Sequence, residues 1–153
     1  MKLGDVLRKE REARGLTAAD VSTRLGMTEP EYEQLERGLS QAEQWGPILA
    51  RIAIRFETPT SRLICASGRS SDAKPGECGS RIRARREQRG QTAEAVAQYL
   101  ELTPAEYGDI EAGRSPIEHC APLLLRFAEV VEQPIFNLFY PCGIAFEKLE
   151  DYP

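Results

Sequence analysis

The sequence predicts an all-α fold built from two tandem copies of one five-helix domain, and two observations support this prediction. A shift of the 153-residue sequence by 75 residues aligns it with itself without gaps, with roughly two dozen identities in about sixty positions. Within each copy, apolar residues recur at intervals of three and four rather than two, and Gly and Thr separate the apolar segments. This periodicity predicts about five short helices in each copy and no strands.

The duplication divides the chain into four parts. We expect a first domain at residues 1–65, a linker at 66–78, a second domain at 79–141 and an apolar C-terminal tail at 142–153. The linker is rich in Ser, Gly and charged residues and lacks apolar periodicity, which is typical of flexible connections. The tail has no counterpart in the first copy.

The first two helices are predicted from the residues at their ends. Helix one of the first copy begins at Leu3 and ends at Gly15, and Thr17 is placed to cap helix two. Helix two presents Val21 and Leu25 to the core at helical spacing. The Gly-Met pair that follows makes a turn.

Helix three is predicted from a capping signal. It begins at Thr28, where T-E-P-E predicts a capping box: the threonine oxygen accepts from the third helical N–H and Glu31 bonds back to the Thr28 N–H. Thr103 and Glu106 repeat this signal in the second copy. Pro104 then occupies the first helical position, where its missing N–H costs nothing.

Helices four and five are predicted to supply most of the core. In the first copy, the apolar face comprises Ile48, Leu49, Ile52, Ala53 and Phe56 of helix four and Leu63 of helix five. In the second copy, it comprises Leu124, Phe127, Ala128, Val131 and Leu138. Trp45 is expected just before helix four, as a core or loop anchor.

Aromatic residues are concentrated near the C-terminus. The aromatic and aliphatic residues here exceed what a small helical domain needs: Phe136, Phe139, Tyr140, Ile144, Phe146, Leu149 and Tyr152. They predict an interface with a protein partner or with a second chain in a homodimer, or else an intramolecular cover between the two copies.

Composition limits the classes of function. A net charge of −4 and a pI of about 5.2 argue against indiscriminate binding to nucleic acid or membrane surfaces. No apolar run is long enough for a membrane span or a signal core, so we expect a cytoplasmic protein. No catalytic grouping, phosphate-binding Gly loop or set of spaced metal ligands is present in the sequence, so we expect no enzyme activity, no cofactor and no metal.

The cysteines give a weak signal. Cys65, Cys78, Cys120 and Cys142 are too few for a disulfide scaffold and form no Cys-x-x-Cys pair. We interpret them as reduced thiols. The alternative is a redox or metal switch that gathers distant cysteines, with His119 beside one of them.

The chain resembles a known family in its ordered motifs. R-x-x-R-E-x-R-G, V-x-x-x-L and T-x-x-E-Y occur in this order in both copies, closed by E-R-G in the first and E-A-G in the second. This order is similar to that of the Xre family, the Cro/repressor-like helix-turn-helix domains, over residues 3–65 and 79–140. The resemblance implies two tandem five-helix lambda-repressor-like helix-turn-helix domains, and it implies that Arg11 pairs with Glu36 and Arg86 with Glu111.

The resemblance also implies a DNA-binding surface. In such domains the third helix enters the major groove, and neighbouring residues hold phosphates. Carried over by position, Thr28, Gln34, Arg37 and Thr103 are the candidate groove contacts, and Arg24 and Arg114 are the candidate phosphate contacts. The implied partner is double-stranded DNA.

Acidic residues on the third helices complicate this prediction. Glu29, Glu33 and Asp109 would meet a groove lined by phosphate, and a duplex binder ordinarily needs several cations there. Three hypotheses follow: a tandem DNA-binding transcriptional regulator, a helix-turn-helix scaffold that binds protein through acidic third helices as an adaptor or antitoxin-like partner, and DNA binding by one copy with dimerisation by the other. Residues 1–66 have no net charge and residues 79–153 have −4, which favours the first copy as the DNA-binding one in the third hypothesis.

Positive charge is concentrated at the start of the second copy. R-I-R-A-R-R-E-Q-R, at residues 81–89, contains five arginines. One interpretation is a solvated helix face that includes the Arg86 ion pair. The other is a surface that binds phosphate or an acidic protein.

Overall fold

A computed structural model describes residues 2–139, and the part of the chain that it describes contains helices and no strands. The first copy contains α1 (Leu3–Ala13), α2 (Ala18–Leu25), α3 (Glu29–Glu36), α4 (Ala42–Phe56) and α5 (Thr60–Ile64). The second contains α6 (Glu77–Gln88), α7 (Ala93–Tyr99), α8 (Pro104–Glu111), α9 (Ile117–Val131) and α10 (Ile135–Phe139). The predicted all-α fold of two five-helix copies is confirmed.

The helix caps agree with the sequence signals at some ends and not at others. Thr103 and Glu106 form the predicted capping box, with N···O distances of 3.1 and 2.9 Å. At Thr28 only one half forms: its Oγ1 accepts from the Glu31 N–H at 3.3 Å, and Glu31 makes no return bond. The prediction of a capping box at Thr28 was therefore wrong.

A complete capping box that was not predicted lies at the start of α2. Thr17 Oγ1 accepts from the Asp20 N–H at 3.1 Å, and Asp20 Oδ2 accepts from the Thr17 N–H at 2.9 Å. These bonds lower the pKa of Asp20, because its carboxylate accepts from a backbone N–H. The start of α2 is therefore held at two backbone N–H groups rather than one.

The turn between the second and third helices has the same backbone conformation in both copies, although its sequence differs. Gly26 ends α2 in the left-handed region, with φ of 71°. Glu101, which occupies the equivalent place in the second copy, has φ of 60°. A side chain in this region costs about 1 kcal/mol or more, so the surrounding packing in the second copy must impose it.

Helix α4 begins earlier than predicted. Trp45 lies inside α4 and is buried, so the prediction that it precedes helix four was wrong. The Ser40 hydroxyl accepts from the Ala42 N–H at 3.2 Å and thereby starts the helix upstream of Trp45. Pro47 lies in the second turn, and α4 continues past it.

The two copies share one hydrophobic core. The long helices α4 and α9 pack against each other at its centre, and the fifth helix of each copy packs against the first helix of the other: α5 on α6, and α10 on α1. The predicted apolar faces of helices four and five are buried, which confirms those core positions. Neither copy is thus enclosed by its own helices alone.

Contacts between the copies occur in reciprocal pairs. Arg14 pairs with Glu132 at 3.0 Å, and Arg89, at the position equivalent to Arg14, pairs with Glu57 at 3.1 Å. The long helices make a second reciprocal contact with the opposite helix-turn-helix unit: Arg126 Nη1 donates to the Leu25 carbonyl at 2.9 Å, and Arg51 Nη2 donates to the Tyr99 carbonyl. The copies are related as the halves of a two-fold pair.

The connection between the copies is anchored at both ends. A turn of 3₁₀ helix at Ser70–Asp72 is bound by Glu129, whose carboxylate accepts from the Ser70 N–H at 3.1 Å. Near the other end, the Glu118 carboxylate accepts from the Gly76 N–H at 2.7 Å and the Gly79 N–H at 3.1 Å. Helix α6 begins inside the stretch predicted as linker.

The first helix of each copy crosses close to the end of the third. A Cβ atom added at Gly4 would overlap the Glu36 carbonyl oxygen and lie 2.7 Å from the Leu35 carbonyl oxygen. A Cβ added at Gly79 would overlap the Ile110 carbonyl oxygen in the same way. Only glycine permits this approach at both sites.

Three further predictions concern the tail, the membrane and the cysteines. Phe139 of α10 lies against Gly46 of α4, whereas Tyr140 and the tail at 142–153 lie outside the described residues. Among residues 2–139, no helix has the length and apolarity needed to cross a bilayer, and no group of three His, Cys, Asp or Glu side chains could hold a metal ion. Cys65, Cys78 and Cys120 are buried free thiols, and burial raises the pKa of Cys120 to about 11.

Candidate nucleic-acid interface

An ion pair joins the first helix of each copy to the end of the third. In the first copy, Arg11 Nε and Nη2 donate to the two Glu36 carboxylate oxygens at 2.6 and 3.2 Å. In the second, Arg86 donates to Glu111 at 2.6 and 3.3 Å. A bidentate pair of this kind fixes orientation as well as distance, so it sets the angle at which the third helix leaves the domain.

Tyrosine completes each ion pair from the core side. The Tyr32 hydroxyl donates to Glu36 Oε1 at 2.8 Å, and burial together with this bond raises the pKa of Tyr32. Burial alone would raise the pKa of Glu36, but the hydrogen bonds from Arg11 and Tyr32 outweigh it and lower that pKa. The bond to Glu36 likewise raises the pKa of Arg11. The pair is therefore charged at neutral pH, and its acid belongs to the scaffold rather than to the outer surface.

The outward face of α3 combines two groups that can bind DNA with acids that oppose it. Tyr32, Leu35 and Glu36 face inward, which leaves Gln34 and Arg37 near the middle of the exposed face. Within the described part of the chain, neither of these two side chains has a hydrogen-bonding or ion-pair partner, so both can reach a ligand. Three acids share or flank this face and are likewise unpaired there: Glu29, Glu31 and Glu33.

The remaining candidates of the first copy surround α3. Thr28 caps the helix with its hydroxyl and is exposed at the helix start, where backbone N–H groups favour an anion. Arg24 is exposed in the last turn of α2, and no carboxylate within the described residues pairs with it. The structure thus gathers Arg24, Thr28, Gln34 and Arg37 on one helix-turn-helix unit.

The outward face of α8 has a different character. Its exposed positions are Pro104, Ala105, Glu106 and Gly108, followed by exposed Ala112 at the C-cap, so Glu106 is the only one of them with a polar side chain. Asp109 is neutralised by Arg114, whose Nε and Nη2 each lie 3.2 Å from Asp109 Oδ1. Arg114, a candidate phosphate contact, is therefore engaged within its own domain.

The polar edge of α8 lies beside the first copy. A cavity of about 100 Å³ is lined by Trp45 together with Glu106, Asp109 and Arg114 of the second copy. Sequence reasoning treated each third helix as a free surface and therefore missed this neighbour, because no local pattern relates Trp45 to α8. Thr103 and Glu106 hydrogen-bond to each other's backbone N–H groups, so their oxygens are partly occupied.

The contacts that join the copies also involve residues that sequence reasoning did not select. The guanidinium carbons of Arg51 and Arg55 lie 5.1 and 4.9 Å from the centroid of the Tyr99 ring, and Arg55 Nε donates to Gln91 at 2.8 Å. Two cations on one aromatic ring stabilise the contact between α4 and α7. The sequence does place Arg51 and Arg55 four positions apart on the predicted core helix, which indicates a common face. It does not indicate that this face contacts the Tyr99 ring.

Comparison with known families agrees with this geometry. A family model described as "Helix-turn-helix domain" matches residues 2–53 and again residues 77–133, which together are well over half of the chain. Searches of curated proteins and of solved structures give no match. Each matched stretch contains helices two and three of its copy and the ion pair that joins the first helix to the third. The chain therefore belongs to the helix-turn-helix domain family of the Xre/Cro type, with two tandem members.

Proposed function

We propose that the protein is a cytoplasmic DNA-binding transcriptional regulator whose two helix-turn-helix copies act as a built-in pair on one duplex. The observation that supports this most is the reciprocal pairing of the copies through Arg14–Glu132 and Arg89–Glu57. Two-fold pairs of helix-turn-helix units are the usual way in which such domains bind two half-sites about one helical turn apart. Here one chain supplies both units.

The two units contribute unequally to base recognition in this proposal. Gln34 and Arg37 of α3 have the chemistry to contact adenine and guanine edges, and Arg24 and Thr28 can hold phosphates. The face of α8 has small side chains and an internally paired acid. We therefore expect an asymmetric target, in which the half-site bound by the first copy determines most of the sequence preference.

A second candidate function rests on the acids of α3. Glu29, Glu31 and Glu33 are exposed and lack cationic partners among the described residues, and Glu31 is not used for capping. Such a face would repel phosphate and suit a basic protein surface. Protein binding through α3, as an adaptor or antitoxin-like partner, is therefore the alternative that the experiment must separate from DNA binding.

The test is fluorescence anisotropy of a labelled random-sequence duplex pool, titrated at about 50 mM and about 200 mM salt. Phosphate contacts predict binding that weakens steeply as salt rises. A duplex selected from the pool is then titrated with Gln34→Ala, Arg37→Ala and a control, Arg83→Ala, which removes one exposed arginine from α6. We expect Arg37→Ala to lower affinity by roughly tenfold and Gln34→Ala to relax preference at one half-site.

Three outcomes would contradict the proposal. Absence of binding at about 50 mM salt would remove DNA as the partner and favour the acidic face of α3 as a protein-binding site. An equal loss for Arg83→Ala and Arg37→Ala would show that only overall charge matters. An equal loss for Gln34→Ala on every sequence would refute base recognition by that side chain.

A further inference from the structure

A cleft between the two copies contains two arginines of the cluster at residues 81–89, together with Arg62 of the first copy, and the proposed function uses none of the three. It lies between α5 of the first copy and α6 of the second and has a volume of about 420 Å³. Arg62, Arg81 and Arg85 line it, and Pro59, Leu63 and Ala84 supply an apolar wall. The cleft thus combines three cations with a small nonpolar surface.

Backbone and hydroxyl oxygens hold the three guanidinium groups in place. Arg81 Nε donates to the Arg62 carbonyl at 2.6 Å, and Arg85 Nε donates to Thr58 Oγ1 at 2.7 Å, so both bonds cross between the copies. Arg62 Nη1 donates to the Ala66 carbonyl. Because a guanidinium group has five N–H donors, each arginine retains several for a ligand.

Within the part of the chain that the structure describes, no carboxylate neutralises this cleft. None of its lining residues is acidic, and none of the three arginines forms an ion pair with any residue between 2 and 139. Glu57 directly precedes Thr58 in the chain, but it forms an ion pair with Arg89 at 3.1 Å. Three like charges along one concave surface focus a positive potential, in a chain whose net charge is −4.

The duplication provides an internal comparison. The contact between α10 and α1 is made from the same two elements with the copies exchanged. Asn137, Val6 and Glu10 occupy there the positions of Arg62, Arg81 and Arg85. Val6 is buried in the core, so the equivalent contact is closed where the cleft is open, and the arginines occur on one side of the pair only.

We propose that this cleft binds a small phosphate-bearing molecule. Arginine guanidinium groups match phosphate oxygens in geometry, and three of them can satisfy a dianion that a single surface arginine would hold weakly. The volume lies within the range of about 300–1,000 Å³ that is typical of small-ligand sites and exceeds the size of phosphate alone. The wall of Pro59, Leu63 and Ala84 accommodates the nonpolar part of the molecule.

The position of the cleft favours a small molecule over a duplex. Arg86 faces α8 through its pair with Glu111, and Arg85 and Arg81 lie about 100° and 140° around α6 from Arg86. The arginines of the cleft therefore point away from the third helix of their own copy. Because the ligand would bridge α5 of one copy and α6 of the other, its binding would stabilise the pairing of the copies.

The test uses inorganic pyrophosphate as the probe on the full chain, with ionic strength matched by sodium chloride. Calorimetric titration should give one site per chain rather than two, and thermal unfolding should shift upward with pyrophosphate concentration. Arg81→Gln and Arg85→Gln should each lower the affinity by roughly tenfold or more, since each removes charge-assisted hydrogen bonds. Arg83→Gln is the matched control, because Arg83 lies on the same helix but pairs with Glu87 at 3.1 Å outside the cleft.

Each other outcome would overturn the proposal. An equal loss of affinity in Arg83→Gln would show binding by net charge alone, and two equivalent sites would place the ligand elsewhere. Absence of pyrophosphate binding by the wild type would exclude the site, and so would undiminished binding by Arg81→Gln and Arg85→Gln variants that keep the wild-type circular dichroism spectrum. If Arg81→Gln weakened duplex binding while pyrophosphate did not bind at all, the cleft would be a DNA-backbone contact instead.

Discussion

Replacing Gly4 with alanine tests whether the close crossing of α1 and α3 determines the position of the third helix. The new Cβ would overlap the Glu36 carbonyl oxygen and lie 2.7 Å from both the Glu36 carbonyl carbon and the Leu35 carbonyl oxygen. These are backbone atoms, which cannot rotate away as a side chain can. To restore a normal contact distance of about 3.5 Å, the two helices must separate by about 1 Å.

The magnitude follows from two opposing effects. Overpacking of this kind costs about 1–3 kcal/mol, and the upper end applies because the atoms in conflict belong to the main chain. Alanine recovers at most about 1 kcal/mol relative to glycine through its higher helix propensity. We therefore expect the free energy of unfolding to fall by about 2 kcal/mol, and Tm by about 4–8 °C for a chain of this size.

Chemical denaturation and thermal unfolding, both followed by circular dichroism, measure the effect. Gly108→Ala is the matched control: Gly108 lies within α8, and a Cβ added there meets no atom within 4 Å. That change should raise the free energy of unfolding by about 0.5–1 kcal/mol. Gly79→Ala should reproduce the loss of Gly4→Ala, because its Cβ would overlap the Ile110 carbonyl oxygen and lie 2.9 Å from the Glu111 carbonyl oxygen.

Gly4→Ala and Gly108→Ala are expected to change the free energy of unfolding in opposite directions, so the explanation can be refuted. If Gly4→Ala were neutral or stabilising, α1 and α3 would not be in close contact. Their crossing and the Arg11–Glu36 ion pair would then not fix the position of the third helix. If Gly108→Ala were as damaging as Gly4→Ala, helix propensity and local space would not explain either change.

Two further predictions concern the Arg11–Glu36 ion pair and the N-terminal caps of α2 and α3. Glu36 has a lowered pKa in the folded chain, so its stabilising contribution is present at neutral pH and is lost as the pH falls from about 4.5, its ordinary value, through the folded value. Urea denaturation should therefore show the largest deficit of Glu36→Gln near neutral pH, and a deficit that stayed constant into acid would contradict the charged pair with Arg11. Asp20→Ala should cost about 0.5–1 kcal/mol more than Glu31→Ala, because Asp20 accepts from the Thr17 N–H at 2.9 Å and Glu31 makes no such bond; equal costs in thermal unfolding would mean that this bond contributes nothing.

Much of the fold could be predicted because local periodicity determines it. The apolar faces around Leu49 and Leu124 were evident at helical spacing, and both are buried. The capping signals were less reliable, since Thr28 and Thr103 have the same T-x-x-E pattern and only the second forms both bonds. The pattern thus indicates where a helix begins without determining which of its capping bonds form.

The arrangement of the copies could not be predicted in the same way. Arg14 and Glu132 are 118 positions apart, and no periodic pattern relates residues at that separation. The cavity shared by Trp45 and the edge of α8, and the packing of each fifth helix on the first helix of the other copy, likewise depend on residues far apart in the sequence. The candidate site was therefore predicted as a set of exposed positions, whereas the partners that neutralise or flank them became evident only from tertiary contacts.

The reciprocal contacts between the copies affect how the protein responds to dilution and how far the sequences of the two copies can diverge. Two separate chains must find each other before they can act as a pair, and their pairing weakens as they become scarce. Two units tethered within one chain and locked by Arg14–Glu132 and Arg89–Glu57 experience an effective local concentration that bulk dilution does not change. The halves of such a molecule need not remain identical either, so α3 can keep its polar side chains while α8 loses them, and a cleft can gain three arginines on one side of the pseudo-symmetry axis alone.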